Sequence, residues 1–546
     1  MYNLALYFNT IKYLKLSQVY YRALKFFIPI SISKKIKKIK VRKKKYKITS
    51  KVLGNNQIIK QKIKILGSFI SLKKINWYDS KKSLLWNFNL HYFDYLFRSK
   101  VYAKNKICER IILDWIKNEF KKEHIALHPY PTSLRIVNWI MWCLDNSLND
   151  SFKAKIHESL FLQTRQLNTL LERDILGNHI FKNAKALLFS GIYFDNDESN
   201  LWLEKSSKII INEIDEQILQ DGGHFEQSPM YHSIILEDLL DIINIINAYD
   251  LKQLNKLKTK IVSKLEKMFN WLSLMTHPNQ EISFFNDSAL NIAPKINELV
   301  KYKKKILFGV YKKFDLKGLR YLRETGYLIV NEHKIYLIFD VSNVKSNYIP
   351  SHSHPDSLSF ELSYKNHKVF TNRGVFTYEE GKKRSEYKST EAHNTLNIKN
   401  ISSSQIWKSF RLAKRASVSE ISYSKRKNTI NLSAVHDGYK IQGFNFVHKR
   451  SIKISDKQII IEDLISRKIG NVFINFFLHP SLKVTTICND EYLIFFKDKQ
   501  KIKLRVLHAS SKLLNTKYSP EFGVEYPSQY IRLKPKNTIS QLYLDL

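Results

Sequence analysis

Residues 326–340, GYLIVNEHKIYLIFD, decide the fold. Two short runs rich in β-branched and aromatic residues, 326–331 and 334–339, are divided by a polar turn, the mark of consecutive strands. Further segments of the same kind follow at 357–362, 367–371, 429–435, 458–463, 472–477 and 492–497. Upstream, between about Asp79 and Gly318, apolar residues instead recur at spacings of three and four. The stretches 107–120, 132–146, 154–172, 179–193, 201–220, 233–248 and 254–275 read as successive helices joined by short polar turns. Helices in series followed by strands in series predict an α+β chain of two separately built domains. The N-terminal part is expected to be an array of paired helices and the C-terminal part an antiparallel β-sandwich. The predicted units are 1–78, 79–320 and 321–546.

The chain has 546 residues, 44% of them hydrophobic and 13% aromatic, enough for more than one core and unlike a disordered composition. Its formal net charge is +41. A field of that sign favours a polyanionic partner, although lysines spread along the chain would also produce it. Cys108, Cys143 and Cys488 form no CxxC pattern, which argues against a disulfide framework or thiolate-bound zinc. Residues 1–30 read as a basic amphipathic helix with Tyr13, Leu14, Leu16, Val19, Tyr20 and Leu24 on its apolar face. The charge run KKIKKIKVRKKKYK at 34–47 reads as a solvated linker. Contact of residues 1–47 with a membrane surface is the alternative. Residues 1–30 do not read as a secretion-type leader, and no apolar run is expected to span a membrane. The expected location is the cytoplasm or the inner membrane surface, with the periplasm left open. No recognition helix, finger or aromatic RNA-binding strand suggests a nucleic-acid partner.

Polar residues inside apolar helical stretches gather in four places. In Pro129-Tyr130-Pro131-Thr132-Ser133-Leu134-Arg135-Ile136-Val137-Asn138, Thr132 or Ser133 is a candidate cap, and Arg135 and Asn138 sit one turn apart. In Gly177-Asn178-His179, Asn178 can cap the following helix, which leaves His179 unexplained. Asp221-Gly222-Gly223-His224-Phe225-Glu226-Gln227-Ser228-Pro229-Met230-Tyr231 is a glycine turn leading into a helix. His352-Ser353-His354-Pro355-Asp356 precedes a strand, with Tyr387 and Glu391-Ala392-His393-Asn394 beyond it.

In order and spacing these segments resemble the heparinase II/III family of polysaccharide lyases, which is related to certain alginate lyases. The likeness runs from about Trp86 to Leu546 and includes Phe285-Asn286-Asp287-Ser288, the stretch 407–411 and His436-Asp437-Gly438-Tyr439. It implies an incomplete α/α toroid followed by a β-sandwich, a bacterial source, and β-elimination on a uronic-acid polymer such as a glycosaminoglycan or alginate. Removing the proton at C5 of a uronate requires its carboxylate to be neutralised. Hydrogen-bond donors that strengthen as the enolate-like intermediate develops do this. The resemblance gives that role to Asn178 and His179, makes Tyr231 the acid and a candidate base, and makes His352 a partner base or neutraliser. Arg135 would clamp a neighbouring substrate carboxylate, with Asn138, His224, Gln227 and Tyr387 also in contact with substrate. It further implies one structural Zn2+ on His354, His393 and a third position that here is Asn372, a poorer, neutral ligand. Asp356 is an alternative third ligand; a hydrogen-bonded histidine pair in a polar core is the reading without metal. C5-epimerisation shares the proton abstraction, and a non-catalytic glycan-binding or assembly role stays open beside it.

Overall fold

The computed structural model describes residues 2–27, 39–50, 56–97, 104–118, 120–121, 123–307 and 315–546. The amphipathic segment at the start is two helices, α1 (Tyr2–Ile11) and α2 (Leu16–Phe27), not one. The break is set locally: the Gln18 side chain accepts from the Lys15 backbone N–H at 3.0 Å and starts the second helix, half of a capping box. Of the basic run, 34–38 lie outside the described residues. The remainder is docked on the helical domain, with Arg42 N–H donating to Tyr193 O, Lys45 and Tyr46 N–H to Ala248 O, and Lys40 paired with Asp195. It is therefore not a solvated linker. A three-stranded sheet at Gln57–Ile59, Lys62–Ile65 and Ser68–Ser71 also falls in the region expected to be linker. Its lysines conceal an alternation in which Ile58, Ile63 and Ile65 are fully buried.

The helical domain continues with α3 (Leu84–Leu90), α4 (Lys104–Lys117), α5 (Pro129–Asp145), α6 (Asp150–Thr169), α7 (Gly177–Tyr193), α8 (Asp197–Gln217), α9 (Pro229–Tyr249), α10 (Asn255–Leu274) and α11 (Ile296–Ile306). Helices α5, α7 and α9 lie side by side, and α6, α8 and α10 pack outside them. The sequence explains the layering. In α7 and α9 nearly every residue is buried, so they are inner helices, whereas α6, α8 and α10 keep polar outer faces. The inner ring buries two lysines. Lys182 donates to Asp238 at 2.7 Å, and Lys185 donates to Asp238 at 2.8 Å and Asp241 at 2.6 Å. Burial at this depth is tolerated because each ammonium meets a carboxylate.

The first strand of the C-terminal region, Gly318–Leu322, begins a few residues before the expected boundary at 321. It opens a five-stranded antiparallel meander with Tyr327–Glu332, Ile335–Asp340, Phe360–Tyr364 and His367–Phe370. Two further antiparallel sheets, of eight and four strands, share an apolar core with it. A short helix, α12 (Lys382–Lys388), lies between strands. The C-terminal strand, Ile539–Asp545, sits inside the eight-stranded sheet between Gln458–Ile465 and Lys501–Leu507.

The two domains are welded by Trp271, Met275, Phe285, Tyr327 and Tyr336, all buried together. Close backbone approach helps: a Cβ on Gly223 would lie 2.3 Å from Thr325 Cγ2 and 2.5 Å from Trp271 Nε1. Replacing Gly223 would force the domains apart at that point.

Candidate active site

A cavity of about 880 Å3 opens between the domains and is lined by Asn178, His179, Tyr231 and His352. Each is positioned by its local fold. Helix α7 opens with its N-cap Leu176 and first residue Gly177 both at positive φ (68° and 57°), and Asn178 follows facing Glu226. Asn178 is not the cap: its Nδ2 faces the Glu226 carboxylate, donating to Oε1 at 3.0 Å with Oε2 at 3.4 Å. His179 Nδ1 meets Glu172 Oε1 at 2.9 Å, and its ring lies 4.7 Å from that of Tyr130. Burial lowers the His179 pKa, but the charge and hydrogen bond of Glu172, backed by Glu226 and Asp174, outweigh it and raise the value. The protonated imidazole is thereby favoured in the cavity wall.

Tyr231 sits in the first turn of α9, whose N-cap Ser228 accepts from Tyr231 N–H at 3.2 Å with Pro229 as the first helical residue. Its ring stacks on His352, and its hydroxyl is 3.3 Å from that of Tyr378. Burial, with Tyr378, Tyr130 and Asp287 nearby, holds its pKa well above the usual tyrosine value, so the resting group is a neutral phenol.

His352 arrives from the other domain on the turn Pro350–His352. Its Nδ1 is 3.0 Å from Asp287 Oδ2 and its Nε2 is 3.7 Å from Glu226 Oε2. Asp287 is fully buried and grips three partners: His352, His354 Nε2 at 2.8 Å, and Arg384 through a two-pronged pair at 2.5 and 2.8 Å. Burial would raise its pKa, but Arg384 and the two histidines hold it well below the ordinary carboxylate value. A carboxylate only accepts, so the bond to Asp287 places a proton on His352 Nδ1, while Nε2 faces Glu226.

Most of the expected substrate contacts lie elsewhere. Asn138 does line the cavity, with Nδ2 donating to Tyr92 O at 2.7 Å. Arg135 has no exposed surface; it donates to Gln163, His91 O and Thr132 and lies 4.0 Å over the Trp115 ring. Burial lowers its pKa to about 9. It is a core residue and not a carboxylate clamp. Thr132 and Ser133 lie inside α5 and bond backward to Ala126 O and Pro129 O instead of capping it. His224 is buried against Gln217 and His232. Gln227, at φ 58°, ties the domains together through Thr325 O, Asn343 O and Lys345 N–H. Tyr387 donates to Glu525 at 2.8 Å, away from the cavity. Glu226, Glu172, Asp287, Tyr130 and Tyr378 contact the candidate residues, and the sequence reading gave them no part in the site.

The net charge is not repeated in the cavity. Its lining holds eight Asp and Glu against five Lys and Arg, and two of those five, Lys182 and Lys185, are neutralised by Asp238 and Asp241. The surplus of +41 is thus not gathered into a basic groove at this cavity.

The histidine pair does not fit a three-ligand zinc site. His354 Nδ1 and His393 Nε2 approach to 3.2 Å, and the chain of bonds from Asp287 makes His393 the donor and His354 the acceptor. Asn372 is spent on Ser359, Asn394 N–H and Phe284 O. Burial pushes Asp356 up to about 7, which disfavours an anionic ligand there. Among the described residues no group of three His, Cys, Asp or Glu is arranged to hold a metal.

A helical toroid facing stacked antiparallel sheets, with an amide, two imidazoles and a phenol gathered between them, defines a class of two-domain proteins with a candidate site at the junction. The model described as Heparinase II/III N-terminus matches residues 9–306, and that described as Heparinase II/III-like, C-terminal, matches 315–541. The chain belongs to the heparinase II/III family. It is 23% identical over 329 residues to a heparin-sulfate lyase of Bacteroides stercoris, covering 55% of this chain and 45% of the relative. With that of Bacteroides thetaiotaomicron it shares 25% over 350 residues, covering 53% and 48%. The chain spans about half the length of the curated relatives it matches. The crystal structure of heparinase III superimposes with a TM-score of 0.70 at 18% identity, covering 87% of this chain and 79% of that one. A mutant heparan sulfate lyase HepC from Pedobacter heparinus gives 0.60 at 18%, covering 97% and 88%.

Proposed function

We propose that this chain cleaves an acidic, uronic-acid-containing polysaccharide by β-elimination. The observation that carries the reading is the stacked Tyr231–His352 pair in the shared cavity, with His352 Nδ1 held by Asp287. The relatives' printed activity, heparin-sulfate lyase, agrees with it. Asn178 and protonated His179 donate to the uronate carboxylate. His352 Nε2 takes the C5 proton, the C5–H electrons form the C4–C5 double bond, and the C4–O bond breaks. The leaving oxygen takes the proton of Tyr231, for which a phenol that stays neutral at rest is suited. The carboxylates of Asp287 and Glu226 then face the imidazolium so formed. Mixing the protein with heparan sulfate, chondroitin, hyaluronan and alginate tests this. Absorbance rising near the ultraviolet edge, with shortened chains, is expected. Solvent deuterium at C5 with chain length unchanged would instead show epimerisation.

We further propose that the outer face of α1 and α2 rests on an anionic membrane surface. Leu4, Phe8, Leu16 and Phe27 are 74%, 68%, 88% and 79% exposed, with Lys12 among them. Among the described residues no helix is long and apolar enough to cross a membrane. Co-sedimentation with phosphatidylglycerol vesicles, lost in Phe8→Asp/Leu16→Asp, is the expected result.

A further inference from the structure

The two N-terminal helices do more than cover the protein. Lys15 pairs with Glu216 and Lys25 with Asp174 on the toroid, while the Thr10 hydroxyl accepts from Trp407 Nε1 at 3.0 Å on the sheet side. Tyr7 packs edge-on against Trp407, and the Arg415 guanidinium lies 3.7 Å over the Tyr13 ring. The helices therefore strap the domains together, and Leu14, Gln18 and Arg22 enter the cavity lining.

The facing wall elements are the hairpin formed by Ile406–Trp407 and Arg411–Leu412, which packs on the turn bearing His352. The hairpin tip is fixed: Arg384, which grips Asp287, donates to Ser409 O at 3.3 and 3.2 Å, and Lys388 does so at 3.1 Å. Phe410 lies with its ring 6.0 Å from that of His352. Arg411 and Arg22 both line the cavity, and neither forms an ion pair among the described residues. Arg22 makes one long bond, 3.4 Å, to the Asp174 carbonyl, whose carboxylate is already taken by Lys25. Burial, and after it the neighbouring Arg22 charge, lower the Arg411 pKa. Lys182 and Lys185, by contrast, are neutralised where they stand.

Resting on the lyase reading above, we propose that Arg22 and Arg411 form an anion subsite for the carboxylate or sulfate ester of the sugar adjoining the one that reacts. Planar guanidinium forks suit both oxyanions. An anion bridging them removes their mutual repulsion and joins α2 to the hairpin beside His352. The N-terminal helices are thereby part of the substrate site.

Two measurements on the full chain test this. In the first, inorganic sulfate replaces chloride at constant ionic strength and the melting temperature is followed. The parent should be stabilised by sulfate, because a ligand bound only to the folded state shifts unfolding. Arg22→Ala and Arg411→Ala should each lose that response, and Arg411→Lys should keep part of it. A parent that does not respond, or variants that respond like the parent, would overturn the subsite whatever the enzyme's activity. In the second, KM for the uronate polymer that the parent cleaves should rise about tenfold in either alanine variant, the worth of one charge-assisted contact, with kcat held. Cleavage with KM unchanged in both would overturn the subsite and leave the lyase reading standing. Absence of cleavage by the parent would overturn the lyase reading alone, since the sulfate response is read separately.

Discussion

The rings of Tyr231 and His352 stack with centroids 3.9 Å apart and planes 27° from parallel, one supplied by the helical toroid and the other by a turn of the sheet domain. Each residue comes from a different domain, so this pair exists only where the two meet. Activity should therefore depend on the junction as much as on either residue.

Tyr231→Phe keeps the stacking and removes only the hydroxyl. A drop in kcat of about 10²–10⁴-fold is expected, the range of a general acid. Calorimetric affinity for an oligosaccharide should be retained. Full turnover by the variant would exclude Tyr231 as the proton donor.

Asp287→Asn removes the charge that orients His352. We expect kcat to fall about a hundredfold or more, with nitrogen-15 spectra showing the His352 proton no longer confined to Nδ1. Arg384 would lose its partner in a buried pair, a loss of ~3–5 kcal/mol of stability. Chemical denaturation measures that loss, and spectra unchanged from the parent would contradict the positioning role.

Glu172→Gln tests the charge on His179. In the parent the raised pKa keeps the imidazolium to higher pH than in a free histidine, so substrate affinity should weaken as pH rises through that raised value. Stability follows the same sign. The contribution of His179 is complete below the unfolded histidine value of about 6.5 and is lost as pH rises through the folded one. With the carboxylate gone, burial dominates and the loss of affinity should move to lower pH. A KM–pH profile that superimposes on the parent's would remove His179 from substrate binding.

Metal content follows from Asn372. Elemental analysis of the purified chain should give zinc well below one equivalent. Asn372→Asp cannot donate to Phe284 O as the amide does, and should raise zinc uptake beside His354 and His393. A full equivalent of zinc in the parent would show that the donors rearrange.

The helical and strand regions were legible because inner helices and buried strands carry distinct apolar periods over long stretches. Asn178, His179, Tyr231 and His352 lie in polar clusters from which the resemblance to the heparinase II/III family singled them out, and the cavity gathers all four. Arg135 and Asn138 show where that signal stops. Three residues apart on one helix, they diverge enough that Asn138 reaches the cavity while Arg135 turns into the core against Trp115. Gln227 and Tyr387 are polar for reasons of assembly, satisfied by Thr325 O and Glu525. In a string of letters such a residue resembles a ligand contact. Glu226, Asp287 and Tyr378 went unassigned for the converse reason, since each acquires its role from a partner distant in sequence.

The hydrogen bond between Thr10 and Trp407 joins positions 397 residues apart. During synthesis the strap therefore emerges long before the hairpin on which it must close. A nascent chain holds no finished pocket until most of its length has left the ribosome, and closing so distant a contact is entropically slow. Closing the strap on the hairpin would be a late event in maturation, so a completed cavity becomes a sign that both domains have folded.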